Sequence, residues 1–125
     1  EALNKINKAI EINPNSYEHW NNKVVALLKL GRLEEALIAI DKTIELNITY
    51  FDALNEKTNI LIDLRKYNEA LIISEELIEA NPMDGNAWYN KGRSLLYLGR
   101  WDEAKEAFEQ ANKIDSKFVI PEILL

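Results

Sequence analysis

The 125-residue chain has no cysteine and one histidine, His19. Without thiolates there is no disulfide framework, no cysteine-ligated zinc or iron-sulfur centre and no cysteine nucleophile. A single imidazole leaves His19 as the one route to a Ser-His-Asp relay and rules out a two-histidine metal site. Basic residues are also scarce, 15 against 21 acidic ones, for a net charge of -6. That sign is wrong for a protein held to phosphate backbones by counterion release, so nucleic acid is not an expected ligand. No apolar run reaches the roughly 18 residues that span a bilayer, and Glu1-Ala2-Leu3-Asn4-Lys5 does not read as a signal peptide. The chain is expected to be soluble and cytoplasmic, with no membrane association and no cofactor.

What is present is ordinary globular composition, 47% apolar and 29% charged, arranged with a period. The pair Glu-Ala recurs at Glu1-Ala2, Glu35-Ala36, Glu69-Ala70 and Glu103-Ala104, every 34 residues. Trp20, Leu54 and Trp88 keep the same register, as do Lys23, Lys57 and Lys91, then Gly31, Arg65 and Gly99, and Pro14, Ile48, Pro82 and Ser116. A fixed period of this size signals a repeat array. Each period carries two stretches with apolar residues three and four apart, for example Trp88, Leu95 and Leu98, then Trp101, Ala104, Ala107, Phe108 and Ala111. They read as two antiparallel helices. Gly31 and Gly99 end the first helix of a pair, Asn13-Pro14 and Asn81-Pro82 end the second, and Ser16, Thr49 and Asp84 can cap the next. Helices are predicted over 1–12, 17–30, 33–46, 51–64, 67–80, 85–98 and 101–114, with another beginning near 119.

Asn86-Ala87-Trp88-Tyr89-Asn90-Lys91-Gly92, then Leu98-Gly99-Arg100-Trp101-Asp102-Glu103-Ala104 and Phe108 to Ala111, resemble the tetratricopeptide repeat, a 34-residue unit with W, G, Y, A, F, A and P at set positions. The resemblance covers essentially the whole chain. It implies an all-α, right-handed superhelical solenoid of antiparallel helix pairs, with the first helix of each pair lining a concave groove that binds a peptide or protein partner. It implies no enzymatic activity. In this frame 1–16 is the second helix of an incomplete repeat, 17–50, 51–84 and 85–118 are repeats 1 to 3, and 119–125 starts a further repeat or a capping helix. Repeat 2 is the weakest match, with Arg65 in the turn-glycine slot. Where the family prefers a small residue, Gly92 complies while Val24 and Thr58 are larger.

The face that the family turns inward projects onto Glu18, Asn21, Asn22, Val25 and Lys29, then Asp52, Asn55, Glu56, Asn59 and Asp63, then Asn86, Tyr89, Asn90, Arg93 and Tyr97. From it Asn21, Asn22, Asn55, Glu56, Asn59, Tyr89, Asn90, Arg93 and Tyr97 are the candidate peptide-binding residues. An amide offers donors and an acceptor, so a row of asparagines can bond an extended peptide backbone without demanding charge. The competing reading is that asparagine is abundant throughout this chain, as are isoleucine and lysine. A subclass of the family clamps a C-terminal carboxylate with lysines, an arginine and two asparagines. Here Asn21, Val25, Glu56, Asn86 and Asn90 stand where Lys, Asn, Asn, Lys and Arg are wanted, and a frame one repeat later puts Asn55, Ile120 and Leu124 where cations belong. The clamp is therefore disfavoured.

Other features have structural readings. Trp20, Trp88, Trp101 and Phe108 fit helix packing, and Lys23, Lys57 and Lys91 can lay their stems along the core edge, an anion site being the alternative. Glu34-Glu35 and Glu75-Glu76 read as solvated faces, and no pocket is indicated that would raise a carboxyl for acid-base work. The alternative to groove binding is assembly through the ends. Leu3, Ile6 and Ile10 form an apolar stripe with no preceding first helix, and Ile120, Ile123 and Leu124 begin a helix with no partner, so homo-oligomerisation is expected.

Overall fold

The computed structural model describes residues 2–47 and 51–125. Among them are seven α-helices: α1 (Ala2–Ile12), α2 (Tyr17–Lys29), α3 (Leu33–Leu46), α4 (Phe51–Asp63), α5 (Tyr67–Ala80), α6 (Gly85–Tyr97) and α7 (Trp101–Ile114). The fold is the all-α solenoid expected from the 34-residue period, and the helix limits fall within a residue or so of those read from the sequence. Glu1, Ile48 and the candidate cap Thr49 lie outside the described residues.

Capping follows local chemistry. The Ser16 hydroxyl accepts the His19 N–H at 3.4 Å, and Asp84 Oδ1 accepts the Ala87 N–H at 3.2 Å, each satisfying a donor of the first turn. At the other end of α2, the Gly31 N–H reaches the Leu28 carbonyl at 3.0 Å and the Arg32 N–H reaches Leu27 at 2.9 Å. This double bond pattern requires a left-handed residue after the helix. Gly31 (φ 72°) and Gly99 (φ 78°) supply it, and so does Arg65 (φ 64°), where the bonds Arg65 to Ile62 and Lys66 to Leu61 repeat the pattern. Arg65 thus takes the left-handed conformation of the glycine slot that it fills.

The chain divides into two compact units, Glu1–Ile60 and Leu61–Leu125. In the first, α2 packs on α1 and α3, and Val24, Leu27, Ala36, Ala39 and Ile40 of α2 and α3 are buried. In the second, α6 packs on α5 and α7 around Leu71, Leu95, Ala104, Ala107 and Phe108. Gly92 has its backbone against the Phe108 ring, where a side chain larger than hydrogen would collide. Buried hydroxyls are satisfied inside their own helices: Thr43 donates to the Ala39 carbonyl (3.1 Å), Ser74 to Ala70 (2.9 Å) and Ser94 to Asn90 (2.9 Å).

Two devices recur between helices. The indole N–H of Trp20 donates to the Pro14 carbonyl and that of Trp88 to the Pro82 carbonyl, both at 2.8 Å, tying each first helix to the loop before it. Lysines of first helices reach acids of preceding second helices, Lys57 to Asp41 at 2.6 Å and Lys91 to Glu75 at 3.5 Å. The Lys23 and Lys91 ammoniums also stand over the Trp20 and Trp88 rings, at 5.4 and 5.3 Å from the centroids.

The carboxyl-terminal segment corrects an expectation. No helix starts at 119; Pro121 introduces a single 3-10 turn, Glu122–Leu124. Asn112 donates to the Phe118 carbonyl at 3.0 Å, Leu124 is buried in the core of the second unit and Ile120 packs against it. Leu124 and Ile120 are therefore not an open self-association surface, because the segment folds back on its own repeat. Ile123 remains exposed. At the other end Leu3, Ile6 and Ile10 are half-buried, on the helix that packs against α2.

Candidate functional site

On α2 the expected face is open: Glu18, Asn22, Val25 and Lys29 are exposed and Asn21 is half-buried. Asn21 and Asn22 line a cavity of about 390 Å3 together with Tyr17, Glu18 and Asn47, the residue that ends α3. Tyr17 and Asn47 were not singled out from sequence, because neither lies at a groove-facing position of the repeat.

On α4, Asp52 and Asn59 are exposed while Asn55 and Glu56 are half-buried. The Glu56 carboxyl is pushed above the usual carboxylate range, first by burial and then by the neighbouring Asp52 charge. Its Oε1 is buried without a hydrogen-bond partner.

On α6 the face divides in two. Asn90 is buried, and its Oδ1 accepts from the Arg93 guanidinium at 3.3 Å. It is thus no surface contact as its helical position suggested; α6 is flanked by α5 and α7 there, and the amide holds Arg93 instead. Tyr89 is half-buried, edge-on to Phe108 at 5.3 Å and tilted against Phe118 at 5.4 Å, so much of its ring belongs to the core. Tyr97 is 59% exposed. It stacks on Tyr67 of α5, with ring centroids 4.9 Å apart and planes 14° from parallel. Arg93, Tyr97 and Tyr67 line a cavity of about 370 Å3 with Ile62, Asp63 and Arg65. The pairing of Tyr67 with Tyr97 has no counterpart elsewhere in the array, where Leu33 and Trp101 follow the turns, so the period could not announce it.

A third cavity, about 330 Å3, lies along α7, lined by Trp88, Lys91, Glu103, Glu106, Gln110 and Lys113 among others. Its Lys91 is already engaged by Glu75 and Trp88. At the starts of α3 and α7, Arg32 grips Glu35 and Arg100 grips Glu103 with two bonds each, at 2.8 and 2.7 Å and at 2.9 and 2.7 Å. These hydrogen bonds lower both carboxyls from their ordinary range. Among the described residues no group of three His, Asp or Glu side chains is placed to hold a metal, and no helix is long and apolar enough to cross a membrane.

Models of the tetratricopeptide repeat match residues 6–38 and 85–118, between them more than half of the chain. The chain belongs to the tetratricopeptide repeat family. Solved structures agree. MamA 41-end from Desulfovibrio magneticus RS-1 superposes with a TM-score of 0.84 at 25% identity, covering 93% of this chain and 67% of that one. A second MamA crystal structure gives 0.82 at 22% identity, covering 92% and 63%. YrrB, described as a tetratricopeptide protein with an unusual peptide-binding site, gives 0.77 at 21% identity, covering 91% and 59%. The chain thus spans about two thirds of the length of these tetratricopeptide proteins. No curated protein matches it in sequence. As a tetratricopeptide array it is a protein-protein interaction module and not an enzyme.

Proposed function

We propose that the module binds an extended peptide or protein segment through the first-helix faces that each unit presents, those of α2 and α4 in the first and that of α6 in the second. The observation that carries this reading is that two open cavities, of about 390 and 370 Å3, are each lined by residues of those faces, Asn21 and Asn22 in one and Arg93 and Tyr97 in the other. Asn22 and Asn59 are exposed on these faces, and Asn22 carries an amide able to pair with backbone N–H and C=O groups. Tyr97 adds a rigid aromatic surface of the kind that dominates binding energy at interfaces. A peptide or protein partner and a cytoplasmic setting are part of this proposal.

The test uses a peptide selected from a display library against the folded chain. Asn22→Ala combined with Asn59→Ala is expected to weaken its binding by about tenfold or more. Glu76→Ala combined with Gln110→Ala, on second helices, is expected to leave it unchanged. Loss of binding with the second pair alone overturns the reading.

A further inference from the structure

The turn between α4 and α5 carries an arginine in a conformation that favours glycine. Arg65 has φ 64°, whereas Gly31 and Gly99 fill the same slot of the other repeats. A Cβ at either glycine would meet nothing within 4 Å, so space does not decide which residue stands there. Backbone strain does, and it favours glycine. Arg65 is exposed, and its guanidinium has no ion pair or hydrogen bond among the described residues. A strained, charged residue with no structural partner points to a role outside the fold.

What surrounds it gives that role a chemistry. Arg65 shares the 370 Å3 cavity with Arg93, whose guanidinium is steadied by the buried Asn90 amide. Tyr97 is fixed by stacking on Tyr67 yet remains 59% exposed, so its ring offers a pre-set surface. Ile62 adds an apolar wall and Asp63 one negative charge. Two guanidiniums and one carboxylate leave a net charge of +1. That balance suits a carboxylate, which guanidinium forks bind through paired hydrogen bonds, better than a doubly charged phosphate, whose second charge would stand against Asp63.

We infer that this cavity is the specificity pocket of the module, taking an acidic side chain of a peptide through Arg65 and Arg93 while an adjacent aromatic side chain lies on Tyr97. The inference rests on the peptide-binding reading above and narrows it to acidic-aromatic segments. Arg65, Arg93 and Tyr97 belong to one compact unit, so the pocket is complete within Leu61–Leu125.

The experiment uses the full chain and short synthetic peptides, acetylated and amidated, with the cores Glu-Trp-Glu, Gln-Trp-Gln, Glu-Ala-Glu and phosphoserine-Trp-phosphoserine. Binding is followed by amide chemical shifts. The Glu-Trp-Glu peptide is expected to shift residues 63–67 and 93–98, and both the Gln and Ala versions to bind about tenfold more weakly. Arg65→Gly is expected to cost a similar factor while keeping the native spectrum, since glycine is the relaxed residue at this turn. Arg93→Gln is expected to add to that loss. The inference is overturned if Arg65→Gly binds as well as the parent, if the phosphoserine peptide binds more tightly than Glu-Trp-Glu, or if no peptide shifts this cavity. Shifts confined to residues 17–22 with Arg65→Gly unaffected would also overturn it while leaving the broader peptide-binding reading intact; that reading falls by its own Asn22 and Asn59 test.

Discussion

A Cβ built on Gly92 would stand 2.9 Å from the Phe108 ring, closer than carbon atoms tolerate. Phe108 is 1% exposed and sits among Leu95, Ala104 and Ala107, so the ring has nowhere to retreat. Gly92→Ala is therefore expected to destabilise the chain by about 1–3 kcal/mol by overpacking. Chemical denaturation measures it, and Gly92→Ala combined with Phe108→Leu should recover part of the loss, because the two sites share one volume. A double variant no better than the sum of its parts would mean that the clash is relieved elsewhere.

Arg65→Gly is expected to stabilise the chain by about 1 kcal/mol, through release of the left-handed strain. The converse change, Gly99→Arg, places the same strain in repeat 3 and is expected to destabilise by a similar amount. Thermal or denaturant unfolding decides. Together with the binding loss inferred for the same substitution, this makes position 65 a place where stability and recognition pull in opposite directions.

Trp88→Phe keeps an aromatic ring but removes the donor that meets the Pro82 carbonyl at 2.8 Å. A net loss of about 0.5–1.5 kcal/mol is expected, as for an ordinary hydrogen bond, beyond what the smaller ring forfeits in packing. Trp20→Phe, whose indole meets Pro14, should behave alike. Equilibrium unfolding of the two variants side by side gives the comparison.

The pH dependence has two opposed parts. Glu56 has its carboxyl raised by burial and by Asp52, so its contribution is fully present where the group is protonated in both states and is lost as pH rises through the raised folded value. Glu35 and Glu103 are lowered by their arginines, so their contribution is present above the ordinary carboxylate range and is lost as pH falls through the lowered values. Glu56→Gln is accordingly expected to stabilise the chain at neutral pH and to have no stabilising effect in acid. Unfolding midpoints at pH 4 and pH 7 test the sign. A variant that destabilises at pH 7 would show that the Glu56 charge is favourable where it lies.

The helices and turns were legible because their signals are local. Ser16 and Asp84 cap the residues beside them, and Gly31, Arg65 and Gly99 mark the turn by their common register. The site was legible only in outline. A helical wheel puts Asn90 beside Asn86 and Arg93, but whether a neighbouring helix covers that strip depends on packing, and Asn90 is buried. Leu124 looked exposed because Pro121 hides a chain reversal that no periodicity records. Tyr67 and Tyr97 lie 30 residues apart on different helices, and only the fold brings their rings to 4.9 Å. The Trp-Pro ties were written in the sequence all along, since Trp20 comes with Pro14 and Trp88 with Pro82, while the middle repeat has Leu54 and Ile48.

Those ties give the chain a matched pair of optical labels. Trp20 and Trp88 have the same environment, an indole N–H on a proline carbonyl and a lysine ammonium above the ring, but they stand in different compact units. With Trp101 and one of the two replaced by phenylalanine, the remaining fluorophore reports the melting of its own half. If the two units unfold cooperatively the two single-tryptophan variants melt at one midpoint, and if the halves are independent they melt at two.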